Sequence, residues 1–231
     1  MESKLFTPVT FGPLTLRNRT IRSAAFESMC PGNAPSDMLL NYHRSVAAGG
    51  IGMTTVAYAA VTRSGLSFDR QLWMRPEIIP GLRRLTDAVH AEGAAAGIQL
   101  GHCGNMSHKS ICGCTPVGAS GGFNLYSPTF VRGLRADELP ELARAYGRSV
   151  NLAREAGFDA VEIHAGHGYL ISQFLSPATN HRKDEFGGSL QNRMRFMDMV
   201  LEEVMKAAGN DMAVLLSLIH ISEPTRPRLI S

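Results

Sequence analysis

The sequence predicts an α/β fold of the (β/α)8 type, the TIM barrel, of which the chain contains the N-terminal portion with about five βα units. Three observations lead to this prediction. Segments with helical periodicity alternate with short apolar segments, glycine lies at several of the junctions, and polar residues follow one apolar segment after another. Most of the apolar segments are apolar on both faces, which is typical of a parallel sheet covered by helices.

The predicted elements follow one another in a regular order. We predict strands in the segments TIRSAAF (20–26), GIGMTTVAYAAV (50–61), AAAGIQLGHCG (94–104), DAVEIHAGHG (159–168) and MAVLLSL (212–218). We predict a helix over 41–48 and, from apolar residues at helical spacing, further helices over 82–93, 139–157 and 196–209. Each of the last three ends near a glycine, which is a common helix stop: Gly93, Gly157 and Gly209.

A doubly wound sheet is the other fold that this pattern permits. No GxGxxG motif opens a helix after the first strand, which weakens the case for a Rossmann-type sheet. Glycine-rich or polar residues instead follow several strands, at AYAAVTRSG, GHCG and HAGHGY, as expected where the carboxyl ends of all strands face one shared site. We therefore prefer the barrel, and we interpret the aperiodic segment 101–139 as a loop or small hairpin that covers its mouth.

The composition is that of one globular domain. The chain has 231 residues, of which 44% are hydrophobic and 19% are charged, and its net charge is +3. No run of lysine or arginine indicates a phosphate-tracking surface, so we expect no nucleic-acid partner. No segment has the pattern of a secretion signal or the roughly 20 apolar residues of a membrane span, so we expect a cytoplasmic protein without a membrane partner.

Four cysteines occur, and we expect them to be reduced thiols: Cys30, Cys103, Cys112 and Cys114. The last three lie near His102 and His108 in the sequence, so a metal site is an alternative to free thiols. The spacing lacks the paired CxxC motifs of zinc or iron–sulfur sites, and we therefore predict no metal.

Two histidines and a tyrosine crowd the end of one apolar strand: His164, His167 and Tyr169. A buried strand ordinarily ends in turn residues, so we interpret these side chains as groups that hold and protonate a ligand. Two other interpretations stay open, His164 as a hydrogen-bonded core histidine and the two histidines as a metal pair. HxxH on a strand-to-loop turn is looser in geometry than HExxH on a helix, and no third ligand is evident.

Several stretches of the chain together carry a resemblance to a known family. They are LFTPVTFGPLTLRNRTIRSAAFE, GGIGMTTVAYAAVTRSG, IPGLRRLTDAVHAEG, IQLGHCG and AGFDAVEIHAGHGYLISQFLSPATNHRKDEFGGSLQNRMRF. From about Leu5 to Leu216 the chain resembles the old yellow enzyme family, FMN-dependent NAD(P)H oxidoreductases built on a TIM barrel. The pattern HxxHGYLxxQFLSPxxNxRxDxxGGSxxNRxRF is its most specific part.

The resemblance implies a set of flavin contacts, which we carry over residue by residue. Three small residues after the first strand match a segment that supports the flavin ring through backbone contacts: Ser23, Ala24 and Ala25. Ala57 and Tyr58, near the end of the second strand, match another contact. Gln99 matches the glutamine that hydrogen-bonds the pyrimidine part of the ring, and a buried amide in an apolar strand needs such a partner.

The resemblance also implies catalytic roles. His164 and His167 match the pair that grips the substrate carbonyl oxygen, and Tyr169 matches the residue that delivers a proton. The implied reaction is hydride transfer from NAD(P)H to FMN and then to the β-carbon of an α,β-unsaturated carbonyl compound. The expected partners are therefore small enones or enoyl compounds, and the full-length protein is a candidate homo-oligomer.

The C-terminal end of the chain departs from the family pattern. We expect residues 1–216 to form a partial FMN-binding barrel, without the later strands and the phosphate-binding loops that follow strands seven and eight. We expect residues 217–231, SLIHISEPTRPRLIS, to be non-native, because they resemble translated sequencing-adapter sequence. Two alternative functions remain at this stage, a metal-dependent TIM-barrel hydrolase that uses His164 and His167, and a catalytically inactive truncated fragment.

Overall fold

The computed structural model describes residues 3–218. Its strands are, in chain order, β1 (Val9–Phe11), β2 (Leu14–Leu16), β3 (Ile21–Arg22), β4 (Met53–Ala60), β5 (Leu72–Trp73), β6 (Ala95–Gly101), β7 (Val117–Gly118), β8 (Gly122–Asn124), β9 (Thr129–Gly133), β10 (Ala160–His164) and β11 (Ala213–Ser217). Its α-helices are α1 (Asp37–Ala48), α2 (Ile79–Ala91), α3 (Lys109–Cys112), α4 (Leu139–Glu155), α5 (Leu170–Leu175) and α6 (Leu190–Ala208).

One parallel sheet organises the molecule. Strands β3, β4, β6, β10 and β11 lie side by side in chain order, and the short strand β5 pairs with the end of β4. A doubly wound sheet reverses its strand order at a switch point, whereas this order runs in one direction. The described residues therefore form part of a (β/α) barrel, and the predicted fold class is confirmed.

The four long helices form a single layer against this sheet. Successive helices contact each other, α1 with α2, α2 with α4, and α4 with α6. Fully buried leucines on α2 pack against strand residues such as Ile98 and Leu100 in the main hydrophobic core: Leu82 and Leu85. Helices α4 and α6 approach closely at Gly147, where a Cβ would lie 3.0 Å from the carbonyl oxygen of Glu203.

The N-terminal hairpin covers the amino end of the strands. β1 and β2 pair antiparallel, and Leu16 packs into a small cluster with residues from the starts of β4, β10 and β11: Met53, Ala160 and Ala213. The guanidinium of Arg17 then donates to the backbone carbonyl oxygens of Ile51 at 2.9 Å, Glu92 at 2.7 Å and Ala47 at 2.7 Å. These contacts close one end of the barrel and leave the carboxyl end of the strands for the site.

Several predicted boundaries differ from the structure. The sequence predicts the first strand over 20–26, but β3 ends at Arg22, whose guanidinium donates to Thr55 O at 2.6 Å and to Ala25 O at 3.1 Å, so that the chain curls out of the sheet. Helix α1 begins at Asp37, ahead of the predicted start at residue 41, because Ser36 Oγ accepts from Leu39 N at 3.2 Å and caps the helix.

Helix α6 also begins earlier than predicted, at Leu190 rather than at residue 196, because Ser189 Oγ accepts from Asn192 N at 3.2 Å and caps it. Strand β10 ends at His164, before the predicted end at 168. The remaining long helices and strands overlap the segments in which the sequence predicts them.

The segment 101–139 contains the hairpin that the sequence predicts. β8 and β9 pair antiparallel, and β7 pairs parallel with the other side of β9. The short helix α3, which precedes this small sheet, is not apparent from the sequence. The hairpin loop and the residues after β10 line the same groove, which reaches His167 and Gly168.

Only the start of the expected non-native tail lies within the described part of the chain. Ser217 ends β11, where it is paired with His164 of β10. Residues 219–231 lie outside the described residues, and the domain boundary at 216 stays a prediction. Among residues 3–218, no helix is both long and apolar enough to cross a membrane.

Replacing Leu85 with alanine tests the contribution of the helix layer. Leu85 is fully buried between α2 and the sheet, so we expect Leu85→Ala to lower the free energy of unfolding by about 2–5 kcal/mol, measured by urea denaturation. Leu190, which is 53% exposed at the start of α6, provides the matched control. Leu190→Ala should change the stability by less than about 1 kcal/mol, and equal losses in the two variants would contradict the packing described.

Candidate active site

Four aromatic rings meet at the carboxyl end of β4 and β10. Tyr58 lies in edge contact with His164 and Tyr169, at centroid distances of 6.1 and 5.2 Å, and His164 lies 5.2 Å from Tyr169. His167 lies 4.8 Å from His164, also between ring centroids. The structure therefore brings together all three residues predicted as catalytic, and it places Tyr58 beneath them.

The two histidine rings face each other with one nitrogen atom each. His167 Nδ1 lies 2.9 Å from His164 Nε2, and one of these atoms donates a hydrogen bond to the other. His167 adopts a left-handed backbone conformation, with φ of 56°, which turns the chain after β10 so that the two rings converge. An oxygen atom beside both nitrogens can accept from each of them once their mutual hydrogen bond is broken and the accepting ring has changed tautomer, so that both nitrogens carry a proton.

His164 is a neutral imidazole at physiological pH. The side chain is almost fully buried, and burial, together with the neighbouring His167, lowers the pKa of His164 from its usual 6.5 to about 4. Its Nδ1 is buried and has no hydrogen-bond partner among the described residues. The interpretation of His164 as a fully satisfied core histidine is therefore not supported by these contacts.

Tyr169 is positioned as a protonated phenol. Its hydroxyl group lies 3.2 Å from Ser67 Oγ, and burial raises the pKa of Tyr169 above its usual value of 10, with the hydrogen bond from Ser67 opposing the shift. Ser67 is itself fixed by Gln71, whose Oε1 accepts from Ser67 N at 2.9 Å. Sequence reasoning did not identify Ser67, although it lies in the polar segment that follows β4.

Tyr58 contributes packing and backbone groups to the site. Its side chain is 5% exposed, and its hydroxyl group donates to Gly65 O at 2.5 Å. The pairing of β4 with β6 shifts register between Val56 and Ala59, so Ala57 and Tyr58 form a β-bulge. A bulge releases backbone groups from the ladder, which is compatible with the expected role of Ala57 and Tyr58 as a flavin contact.

A buried carboxylate ties this bulge to the strand before it. Glu27 Oε1 accepts from Arg22 Nη1 at 2.7 Å and from Ala57 N at 3.3 Å, and it lies 3.3 Å from His43 Nε2. His43 Nδ1 bonds Thr54 Oγ1 at 2.8 Å. Glu27 therefore ties β3 to β4, and the hydrogen bond between His43 and Thr54 ties α1 to β4. The sequence analysis did not identify Glu27, and the available signal was an acidic residue that follows the three small residues and Phe26.

Gln99 pairs with a carboxylate on the neighbouring strand. Gln99 and Glu162 are register partners on β6 and β10, and Gln99 Nε2 donates to Glu162 Oε1 at 2.6 Å. This bond fixes the amide, so that its carbonyl oxygen faces away from Glu162 as an acceptor. The predicted flavin ligand is thus held in one orientation by Glu162, which the sequence analysis did not identify.

The predicted flavin-supporting segment lies at the same end of the sheet. Ser23 and Ala25 are exposed and Ala24 is half-buried, directly after β3. Small exposed residues, the bulge at Ala57 and the amide of Gln99 are suited to a flat polar ring such as that of FMN, because the backbone can approach it closely and an acceptor is present. The residues of this chain therefore fit the group that the family resemblance implies.

The cysteine and histidine side chains do not form a multidentate metal site. Among residues 3–218, no group of three or more histidine, cysteine, aspartate or glutamate side chains is placed to hold a metal ion. The four cysteines form no disulfide in the part of the chain that the structure describes.

A parallel barrel with a polar site at the carboxyl ends of its strands is the architecture of a large class of barrel enzymes, and comparison with known proteins identifies the family within that class. The chain matches the sequence model of the NADH:flavin oxidoreductase / NADH oxidase family over residues 4–227. It belongs to this family of FMN-dependent enzymes, and the predicted relationship to the old yellow enzymes is confirmed.

Individual relatives show the same relationship. The chain is 44% identical over 210 residues to a 4,4'-dithiodibutanoate disulfide reductase of Rhodococcus erythropolis, covering 91% of this chain and 52% of the relative. It is 36% identical over 222 residues to an NADPH dehydrogenase of Bacillus subtilis, covering 94% of this chain and 64% of the relative. The structure of the old yellow enzyme homologue from Zymomonas mobilis superimposes with a TM-score of 0.85 and 30% identity, over 93% of this chain and 63% of that one. The chain thus spans about half to two thirds of the length of these relatives.

The buried neutral histidines predict a pH dependence of stability. Burial also lowers the pKa of His102, which accepts from Gly104 N at 3.0 Å, from 6.5 to about 4. Because the unfolded chain takes up a proton near pH 6.5 and the folded chain only near pH 4, stability falls as the pH is lowered through this window. Each of His102 and His164 should lower the free energy of unfolding by about 2 kcal/mol between pH 7 and pH 5.

Urea denaturation at pH 7 and pH 5 checks this dependence. His102→Gln and His164→Gln should each reduce the difference in unfolding free energy between the two pH values by about 2 kcal/mol. A pH dependence that is unchanged in both variants would show that neither histidine is held neutral by burial.

The contact between Gln99 and Glu162 predicts an effect on flavin affinity. Glu162→Ala removes the acceptor that orients the Gln99 amide, so we expect the FMN dissociation constant to rise by roughly tenfold or more, measured by fluorescence titration. Glu162→Gln keeps an acceptor oxygen, so it should raise the FMN dissociation constant less than Glu162→Ala does. Glu155, exposed at the end of α4, serves as a control, and Glu155→Gln should bind FMN like the unmodified protein. FMN affinity that is unchanged in Glu162→Ala would contradict the orienting role.

Proposed function

We propose that the protein is an FMN-dependent NAD(P)H oxidoreductase that reduces the activated C=C bond of α,β-unsaturated carbonyl compounds. The observation that carries this proposal is the convergence of His164 Nε2 and His167 Nδ1, 2.9 Å apart, beside the phenol of Tyr169. Family membership supports the flavin and the nicotinamide reductant.

The histidine pair would bind the carbonyl oxygen of the substrate. Because His164 is held neutral, it would contribute an N–H dipole to the clamp and no full positive charge. Negative charge develops on the carbonyl oxygen when hydride arrives at the β-carbon, and two aimed N–H donors stabilise that charge more than they stabilise the neutral ground state. Bound FMN would supply the hydride, which it takes from NAD(P)H.

Tyr169 would deliver the proton that completes the reduction. Its raised pKa keeps the phenol protonated at neutral pH, and the edge contact between its ring and the ring of His164 supports a role next to the carbonyl clamp. Ser67 bonds the same oxygen and would hold the phenol in place between turnovers. In this proposal the histidine pair binds the carbonyl oxygen and Tyr169 transfers the proton.

A metal-dependent hydrolase is not supported as an alternative. His164 and His167 have no third ligand among residues 3–218, and family membership gives no support for hydrolysis. The pair is better explained by its direct contact and by the neutral state of His164.

Reduction of a small-molecule disulfide is a second candidate activity. It is favoured by the 44% identity to the Rhodococcus relative, which is named for that reaction. The same reduced flavin would serve both reactions, but a disulfide has no carbonyl oxygen at the reacting centre. Only enone reduction should therefore depend strongly on the histidine clamp and on Tyr169.

Stopped-flow kinetics of the two half-reactions test the proposal. The complete protein should purify yellow and should bleach anaerobically with NAD(P)H. Tyr169→Phe should leave the rate of bleaching within about twofold and should slow reoxidation by an enone such as cyclohexenone by roughly 100-fold or more. His164→Ala should lose about 2.7–4 kcal/mol of transition-state stabilisation with the same enone.

Matched measurements distinguish the candidate functions. Tyr42→Phe, on helix α1, is the control and should reoxidise normally. Reoxidation by a dithiodialkanoate disulfide but not by the enone would favour the second candidate. A protein that cannot bind FMN would overturn the proposal, and FMN titration of the 231-residue chain separately decides whether this chain alone is the inactive fragment considered above.

A further inference from the structure

Two cysteines on the loop after β6 hold their sulfur atoms side by side. Cys112 ends helix α3 and Cys114 follows one residue later, and their Sγ atoms lie 3.7 Å apart. Gly113 between them adopts φ of 77°, a left-handed turn that reverses the chain and places both side chains on one side. A disulfide joins sulfur atoms at about 2.05 Å, so rotation of the two side chains brings them close to bonding distance.

The two thiols differ in their access to solvent. Cys112 is 2% exposed and its Sγ lies 3.3 Å from His108 O and 3.2 Å from Cys114 O. Cys114 is exposed. An external reagent therefore meets Cys114 first, and Cys112 is placed to react only with the sulfur of Cys114.

Charged groups of both signs lie near the exposed thiol. The guanidinium of Arg63 packs over Gly113, where a Cβ would lie 3.3 Å from it. Cys114 opens on a cleft of about 670 Å³ that is also lined by Arg132 and Arg148, and each arginine pairs with an acidic residue of the same cleft, Glu138 and Glu141 respectively. Burial and the Cys112 thiol raise the pKa of Cys114, while Arg132 and Arg63 oppose this shift and favour the thiolate.

We propose that Cys112 and Cys114 are a reversible dithiol–disulfide pair that undergoes exchange with a small-molecule disulfide, a site distinct from the flavin chemistry proposed above. The thiolate of Cys114 attacks one sulfur of the external disulfide, the S–S bond of the reagent breaks, and one thiol leaves. Cys112 then gives up its proton and attacks the Cys114 sulfur, so that the second thiol leaves as the bond between Cys112 and Cys114 forms. Two protein thiols are oxidised by two electrons, the external disulfide is reduced to two thiols, and the two cysteine protons end on the released thiols.

The remaining cysteines are not placed to take part in this reaction. Cys30 is buried, and burial raises its pKa to about 12. Cys103 is completely buried, and burial raises its pKa as well. Both therefore lack the exposure that exchange with an external disulfide requires. The reaction should be confined to the pair.

Thiol counting with glutathione disulfide tests the proposal on the natively folded protein. After incubation and quenching with an alkylating reagent, mass spectrometry should show the paired loss of two alkylation sites and of the mass of two hydrogen atoms, located in a peptide that contains both Cys112 and Cys114. Dithiothreitol should restore both sites. Because the readout needs no flavin, its outcome is independent of enone reduction.

Three variants sharpen the result. Cys112→Ser should stop at a glutathione adduct on Cys114, and Cys114→Ser should leave Cys112 reduced because it is buried. Cys30→Ser should behave like the unmodified protein and controls for non-specific oxidation. A stable adduct on Cys114 of the unmodified protein without loss of Cys112, or no reaction of either thiol in the folded protein, would overturn the proposal.

Discussion

The site depends on Gly101, a residue without a side chain, around which the ends of three strands, β4, β6 and β10, pack closely. Gly101 ends β6 between β4 and β10, and a Cβ there would lie 2.5 Å from Tyr58 Cε2 and 3.3 Å from His164 Cβ. Only glycine leaves room for both rings at this place. Tyr58 in turn supports Tyr169 and is anchored to Gly65 O, so the packing of the aromatic cluster depends on the space at Gly101. The parallel register of β6 with β10 supplies this geometry before any ligand is present.

Two carboxylates hold the cofactor side of the site. A buried charge is costly unless it is paired and hydrogen-bonded, and the buried side chain of Glu27 meets that condition, because it pairs with Arg22 and accepts from the backbone N–H of Ala57. Glu162 is half-buried and accepts from Gln99. Each contact fixes a group that the family resemblance assigns to the flavin, so both carboxylates add rigidity where the cofactor would bind.

The strand and helix order and the meeting of His164, His167 and Tyr169 at one strand end could be predicted from the sequence, because both follow from local patterns. Periodicity and helix-stopping glycines locate the long elements, and the three side chains lie close together in the sequence after an apolar strand. Their catalytic roles come from the family resemblance and stay a prediction. The supporting residues could not be predicted in this way. Ser67 and Tyr169 are 102 positions apart in the chain, and the pairing of Glu27 with Ala57 depends on a bulge that only the register of β4 and β6 reveals. The early end of β3 likewise depends on what the guanidinium of Arg22 contacts in three dimensions.

The protonation states of His164 and Tyr169 suit a site that stabilises negative charge formed on the substrate during the reaction. Burial holds His164 neutral and Tyr169 protonated, so an N–H dipole and an O–H dipole are available without a fixed cation at His164. The carbonyl oxygen of an enone carries little charge in the ground state, so donors aimed at it stabilise the negative charge that develops there more than they stabilise the bound substrate. The low pKa of His164 is therefore a consequence of burial that also suits selective stabilisation of the transition state in the proposed enone reduction.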